Sequence, residues 1–494
     1  MVAAVGVWAR ARARVRVWMA ERLRRLVGWS QTSDGKRLLA LLALALGVRL
    51  VLAPFHGFFH DLQAYVTWGR LLDHDFFHFY TVAASTDVLT ATKYGYMPNY
   101  PPLTVYLYGL LDGAYIAVAH LFTPQPTLSV AASPLLAVYM KLPVCAADLA
   151  LVGIIYTQAR RLRSRRWATI AAASYVFSPT VLFDGALWGQ SDALSLLAIV
   201  VALLYTLRHR GVPAGVLFAA AVLFKPQPFV FGPLILFYLW RWAGGSEAVR
   251  ALAAMAGTGL ALCLPFLLPP HPEILVFLRT ARDVALVRPF ATLDGYNVWW
   301  FMGDMHTNVA RPLVGPLSAM VIGWLLFTLV ALVVAIGLWR DPSGTRLFLG
   351  AALLATAFFD VTTLQRDRYL FPALALFLLA TIGDVRALLF YATATVTTFL
   401  NMAMAVLVNV NPPADGIPSD PGINLNAQSE YFVHHGLPTL AVAAVNVWLL
   451  IMVVFVYLRS LAARPAALHA VGSRLPVAGA PVDAAAASVA PGHG

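Results

Sequence analysis

The chain has 494 residues, 60% of them hydrophobic and 12% charged, with a mean hydropathy of +0.73. That much apolar surface exceeds what a water-facing globule can bury, so a soluble enzyme is excluded and an all-α, polytopic membrane bundle is expected. The formal net charge of +12 is not a nucleic-acid signal, because the arginines fall in short clusters between apolar runs, where they report orientation in the bilayer.

Taken in order, residues 1–37 form a basic arm carrying Arg10, Arg12, Arg14, Arg16, Arg22, Arg24 and Arg25, without the compact apolar core and cleavage site of a removable leader. Basic flanks stay in the cytoplasm, so the first span, 38–54, runs outward and the loop after it is external. That loop opens with HDLQAYVTWGR at 60–70 and, after a polar stretch, holds an apolar run from Tyr100 to 122. The next span, 135–156, ends at the basic RRLRSRR of 160–166, so it runs inward. The Tyr100 run must then begin and end outside, as a juxtamembrane or re-entrant helix started by Pro101 and Pro102. From there the clusters alternate. Spans are expected at 167–182, 194–207, 252–268, 314–339, 347–360, 370–382, 388–408 and 437–457. The block 212–240 is split by KPQP at 225–228 into two short helices that meet at an outer apex. About twelve spans result. A transmembrane unit thus covers 38–460, and the Ala/Pro/Gly-rich residues 461–494 form a disordered cytoplasmic tail. Cys145 and Cys263 both lie inside apolar runs, which suggests neither a disulfide framework nor a cysteine metal site.

This topology sorts the unusual residues by side. Asp61, Tyr100, Asp184, Trp188, Gln190, Asp192, Lys225, Gln227, Arg279, Arg282, Asn297, Trp299, Arg366, Asp367 and Arg368 all fall at or near the outer surface. Few ionisable groups are expected at span centres, so a polar substrate meeting a lipid phosphate at the interface fits better than an ion path through the bilayer. At these residues the chain resembles the GT-C superfold of integral-membrane glycosyltransferases that use a polyprenyl-phosphate-linked sugar. It looks similar to the dolichyl-phosphate-glucose glucosyltransferases and to the prokaryotic polyprenyl-phosphate-mannose mannosyltransferases. The matching pieces are DLQAYVTW from Asp61, YPPL from Tyr100, KLPVCAADL from Lys141, WGQSD from Trp188, LFKPQ from Leu223, NVWW from Asn297 and RDRYLFPAL from Arg366. The resemblance implies that Asp61 is the catalytic base, that the first loop carries juxtamembrane helices, and that the partners are a polyprenyl-phosphate sugar donor, a glycan or glycolipid acceptor and the bilayer. Relatives commonly have His-Glu and a basic residue where this chain has Arg366, Asp367 and Arg368, so no role of that histidine carries over.

The chemistry stands on its own terms. A sugar carbon bearing a lipid phosphate already has a good leaving group, so cations that hold the departing charge replace a general acid. Arg368 and Arg366, with Lys225 and Arg282, are the expected phosphate-binding residues. His60, Tyr100, Trp188, Gln190, Asp192, Asn297 and Trp299 are the expected acceptor- or sugar-binding residues, and one carboxylate, Asp61, suffices as base. No cofactor and no metal are expected, since His60, Asp61, Asp73, His74, Asp75 and His78 show no compact ligand spacing.

Blander readings compete residue by residue: Asp61 as a helix cap, Arg366 and Arg368 paired with Asp367 or Asp360, and the tryptophans as an interfacial belt. Lys225 as a cap or a snorkelling side chain, and Asp184 and Asp192 as turn flanks, complete the set. The rival function class is a secondary transporter of a polar or anionic solute, which requires paired broken helices; only the KPQP break is visible. Mannose is the first expectation for the sugar and glucose the second. The absence of any Asn-x-Ser/Thr sequon favours a prokaryotic plasma membrane with the active site outside.

Overall fold

A computed structural model describes residues 21, 27–55, 59–84, 98–126, 129–130, 132–268, 272–287, 290–302, 308–409 and 436–462. The arginines of the N-terminal arm, the expected outer loop at 410–435 and the expected tail beyond 462 lie outside the described residues.

Helix α1 (Ser33–Leu52) is started by Thr32, whose hydroxyl accepts from the Gly35 amide at 3.0 Å. The first loop folds as α2 (Phe59–His74), α3 (Phe79–Ala83) and α4 (Pro102–Ala119), with proline in the first turn of α4 as the Tyr-Pro-Pro run predicts. Serine caps then open α5 (Pro134–Leu162) and α6 (Arg165–Val176). Helix α6 bends by 43° into α7 (Pro179–Trp188), whose Leu182–Trp188 part is π-helical. Next come α8 (Asp192–Leu207) and α9 (Gly211–Phe224). The KPQP motif breaks the chain as expected: a 3-10 turn, Gln227–Phe231, separates α9 from α10 (Gly232–Trp242). The remaining helices are α11 (Gly245–Cys263), α12 (Glu273–Val287), α13 (Ala319–Arg340), α14 (Gly344–Val361), α15 (Pro372–Ala380), α16 (Ala387–Asn409) and α17 (Leu437–Ala462). The strands described are minimal, and one pair matters for the site: Thr292–Leu293 lies parallel to Gln365–Arg366.

Among the described residues seven helices are long and apolar enough to cross a membrane, or eight if α6 and α7 form one bent span. The expected count of about twelve is not reached. Helices α8 and α9 have 16 and 14 residues, so they extend about 21–24 Å at 1.5 Å per residue, short of the roughly 30 Å hydrocarbon layer. Helix α1 carries Asp34, Lys36, Arg37 and Arg49 and is likewise outside the count. The Pro102–Ala119 helix, placed outside the bilayer by the charge argument, is itself long and apolar enough to cross. It packs on α2 through Tyr65, Trp68, Leu72, Val105 and Tyr108, a cluster that also holds Phe79, Tyr80, Phe266 and Phe277. The larger core runs through α5, α6, α8, α14 and α15, with α14 and α15 buried almost throughout.

A second correction concerns charge. Arg49 Nη2 lies 3.2 Å from Asp148 Oδ2 with both side chains buried, and the Tyr175 hydroxyl donates to Asp148 at 3.2 Å. Asp184, Asp360 and Lys141 are also fully buried. Asp148, midway along α5, is thus an ionisable group inside a candidate span, and the buried pair is tolerated because each charge meets its complement. At the start of α1, Asp34 lies 2.9 Å from Arg160 Nε and 2.5 Å from Arg165 Nε, which ties that end of the helix to the basic turn after α5.

The charge-derived topology makes a direct prediction. With Cys145 and Cys263 replaced by Ala, a single cysteine at the exposed Gln125, just after α4, should react with an impermeant thiol reagent added to intact cells. Labelling only after permeabilisation means that α4 crosses the bilayer.

Candidate active site

The site starts from a distortion in the chain. Between α7 and α8 the Asp184 carbonyl accepts from both the Gly189 amide at 3.0 Å and the Gln190 amide at 2.9 Å, closing the π-helical turn. Such turns recur at functional sites because they redirect side chains from a regular helix. Gly189 completes the reversal at φ +88°, and a Cβ there would stand 3.0 Å from Lys141 Cγ and 3.2 Å from Leu62 Cδ1. Only glycine fits both the dihedral and the space. Below it the Lys141 ammonium donates to the carbonyls of Phe55 (2.6 Å), Leu187 (2.7 Å) and Ala53 (3.0 Å), joining α5, the π turn and the segment that leads into α2.

These constraints aim two donors at one carboxylate. Asp61, in the first turn of α2, accepts at Oδ2 from Trp188 Nε1 at 3.1 Å and from Gln190 Nε2 at 2.5 Å. Helix α2 begins at Phe59, and the Asp61 side chain reaches across 127 residues of sequence, so the capping reading does not hold. About a third of that side chain remains exposed, which leaves it open to a substrate. The Gln190 Oε1 accepts from Tyr65 OH at 3.4 Å, and Tyr65 stacks on Tyr108 with ring centres 4.2 Å apart.

Cations complete the group. Arg368 Nη2 lies 4.0 Å from Asp61 Oδ2, its Nε 3.7 Å from Asp192 Oδ2, and its Nη1 3.2 Å from Asp367 Oδ1. Its guanidinium carbon sits 5.0 Å from the centre of the Trp188 ring. Lys225 Nζ pairs with Asp192 Oδ2 at 2.5 Å and lies 5.8 Å from the Tyr100 ring centre. Burial opposes the charge of Arg368, but Asp367, Tyr100, Asp61 and Asp192 together outweigh it and raise its pKa above the usual guanidinium range. Burial pushes the Asp367 carboxyl up to about 6 against the pull of Arg368. As pH falls through that range Asp367 loses its charge, and Arg368 then has one counter-ion fewer.

Of the residues expected at the site, Asp61, Tyr100, Trp188, Gln190, Asp192, Lys225 and Arg368 thus come together. Others take supporting places. Asn297 Nδ2 donates to the Phe359 carbonyl at 2.8 Å and Trp299 Nε1 to the Val361 carbonyl at 3.0 Å, so both hold the end of α14. Arg366 is half-buried in the two-residue strand opposite Leu293. Arg282 is exposed on α12, and the ion pairs linking Asp61, Asp192, Lys225 and Arg368 are complete without it. His60 lies in α2, but its side chain is outside the described residues. Trp188, Trp299 and Trp300 are all buried, against the interfacial-belt reading. Lys225 stands at the C-cap of α9 and Asp192 flanks the turn before α8, as the blander readings have it, but their side chains form a buried ion pair, against the snorkelling reading. The pairing of Arg368 with Asp367 does occur, alongside its contacts to Asp61 and Asp192. Sequence reasoning missed Tyr65 and Lys141. A lone lysine inside an apolar helix was the available signal for the second, because such a charge must find acceptors. Among the described residues no group of three or more His, Cys, Asp or Glu has a metal-ligand arrangement.

The geometry of the turn predicts that Gly189→Ala destabilises the fold by about 1–2 kcal/mol, the cost of a left-handed non-glycine residue, with crowding against Lys141 in addition. Thermal unfolding in detergent reads this against Gly257→Ala, whose Cβ would meet nothing within 4 Å. Equal midpoints for the two variants would contradict the role given to Gly189.

No curated protein matches the chain. The family description Glycosyltransferase family 87 matches residues 96–364, more than half of the 494-residue chain. The matched region contains Tyr100, Lys141, Trp188, Gln190, Asp192 and Lys225, while Asp61 precedes it and Arg368 follows it. The chain belongs to glycosyltransferase family 87 and is a membrane glycosyltransferase.

Proposed function

We propose that the protein transfers a hexose, mannose before glucose, from a polyprenyl-phosphate donor to a glycan or glycolipid acceptor, inverting the sugar carbon. One observation carries the reading: a part-exposed carboxylate, Asp61, lies 4.0 Å from buried Arg368, with Lys225 completing the cationic side beyond Asp192.

In this mechanism the acceptor hydroxyl gives its proton to Asp61 as its oxygen attacks the anomeric carbon. The bond from that carbon to the phosphate oxygen breaks, and the electron pair leaves with the lipid phosphate, whose charge Arg368 and Lys225 neutralise. A single displacement inverts the carbon. The outer orientation is supported by the two ends of α1. Its start pairs with the basic turn at Arg160 and Arg165, while the backbone after its end meets Lys141 beneath the Asp61 group. Twenty helical residues separate these ends by about 30 Å, the thickness of the hydrocarbon layer. With the basic end in the cytoplasm, Asp61 faces outward, in a prokaryotic plasma membrane on this reading.

Asp61→Asn keeps size and hydrogen-bond acceptance but removes basicity, so transfer by purified protein with labelled polyprenyl-phosphate mannose and a membrane-extract acceptor should fall roughly a hundredfold to ten-thousandfold. Turnover near wild type would falsify the catalytic assignment. Arg368→Ala should raise the donor KM sharply and Arg368→Lys should recover only part, because an ammonium cannot reproduce the planar fork. An unchanged donor KM in both variants removes Arg368 from phosphate binding.

A further inference from the structure

We propose that Gln190 and Trp188 are positioning residues that hold the Asp61 carboxylate by Oδ2 alone and so assign proton uptake to Oδ1. The proposal rests on Asp61 being the base and deepens that reading to the level of the atom. Both donors converge on the same oxygen, at 2.5 and 3.1 Å, and the nearest guanidinium nitrogen also faces it at 4.0 Å. Among the described residues Oδ1 receives no hydrogen bond. A carboxylate held through one oxygen presents the lone pairs of the other in a fixed direction, which is what a base needs in order to meet a hydroxyl proton in line.

The donors cannot easily exchange roles. Tyr65 OH donates to Gln190 Oε1 and thereby sets the amide with Nε2 toward Asp61; the reversed amide would put two acceptors against each other. Tyr65 is itself immobilised, stacked on Tyr108 and edge-on to Tyr100 at 5.8 Å. Burial keeps Tyr65 protonated well above its ordinary range, with Tyr100, Tyr108 and Asp61 acting in the same direction, so it remains a donor. The Gln190 side chain is fully buried and Trp188 nearly so. An indole N–H can only donate.

Trp188 has a second consequence. Its ring carries Arg368 on one side at 5.0 Å, meets Phe183 edge-on at 6.0 Å, and points its N–H at Asp61. One rigid indole therefore sets the separation between the base and the cation that takes up the leaving charge. With its face occupied by a guanidinium, it is poorly placed to stack on a sugar ring.

In the transfer step the acceptor O–H bond breaks with its proton passing to Oδ1, the new glycosidic C–O bond forms, and the C–O bond to phosphate breaks with its electron pair on the phosphate. Oδ2 becomes the carbonyl oxygen of the protonated acid and keeps both hydrogen bonds. Solvent then takes the proton from the exposed side of Asp61.

The test uses full-length enzyme in detergent carrying Gln190→Leu, Gln190→Glu or Trp188→Phe, the last keeping the ring between Arg368 and Phe183. For Gln190→Leu and Trp188→Phe the expected result is a kcat about tenfold lower with donor and acceptor KM both within about twofold of wild type. Gln190→Glu should lower kcat further, since a second carboxylate then faces Asp61. A kcat unchanged in all three, with Asp61→Asn inactive, overturns the positioning role and leaves the base in place. A raised acceptor KM with kcat unchanged assigns these residues to acceptor binding and overturns it equally. Activity retained by Asp61→Asn removes the base reading, and the proposal with it.

Discussion

The site is organised around the pairing of Arg368 with carboxylates from three separate stretches of chain, Asp61, Asp192 and Asp367. A guanidinium this deeply buried is tolerable only if its charge is compensated locally, because breaking such a pair strands an uncompensated ion at a cost of several kcal/mol. That requirement binds the turn after α14 to the starts of α2 and α8, and Lys225 extends it from Asp192 to the break after α9. Elsewhere the same demand recurs. Arg49 and Asp148 join α1 to α5, and Lys141 gathers three carbonyls beneath the π turn. Polar pairing here performs the cross-linking that hydrophobic contact supplies in water, where helix faces differ from solvent more than they do from lipid.

The chemistry inherits this arrangement. In the proposed mechanism a donor phosphate approaching Arg368 and Lys225 would compete with Asp192, which pairs with both cations. Asp61, the proposed base, stands on the other side of Arg368, steadied from the WGQSD turn and not from its own helix. Asp61, Arg368, Asp192 and Lys225 thus belong to one connected network, which in the proposed mechanism would couple proton uptake to charge release.

Much of this was legible in the sequence, and the exceptions share a cause. The proline pair at the start of α4 and the KPQP break follow from local residue chemistry, while Asp61, Gln190, Asp192, Lys225 and Arg368, which the structure brings together, were singled out by charge alternation together with the family resemblance. Hidden were properties that depend on partners roughly a hundred residues away. Asp148 reads as an anomaly in an apolar run until Arg49 is beside it, and Lys141 until the three carbonyls are. Asn297 and Trp299 carry the residue types of a sugar site, yet they are spent on the end of α14. The count of spans diverged because hydropathy registers an apolar segment without regard to whether 14 or 16 helical residues reach across the bilayer.

The central claim is a single displacement assisted by one carboxylate, and the stereochemistry of the product tests it most directly. With a polyprenyl-phosphate hexose of defined anomeric configuration, the one-bond carbon–proton coupling at the transferred anomeric carbon reports the configuration of the new linkage. The account predicts inversion in every product molecule. Retention would require a second nucleophile and a glycosyl-enzyme intermediate, and would contradict the assignment of Asp61 as the sole base.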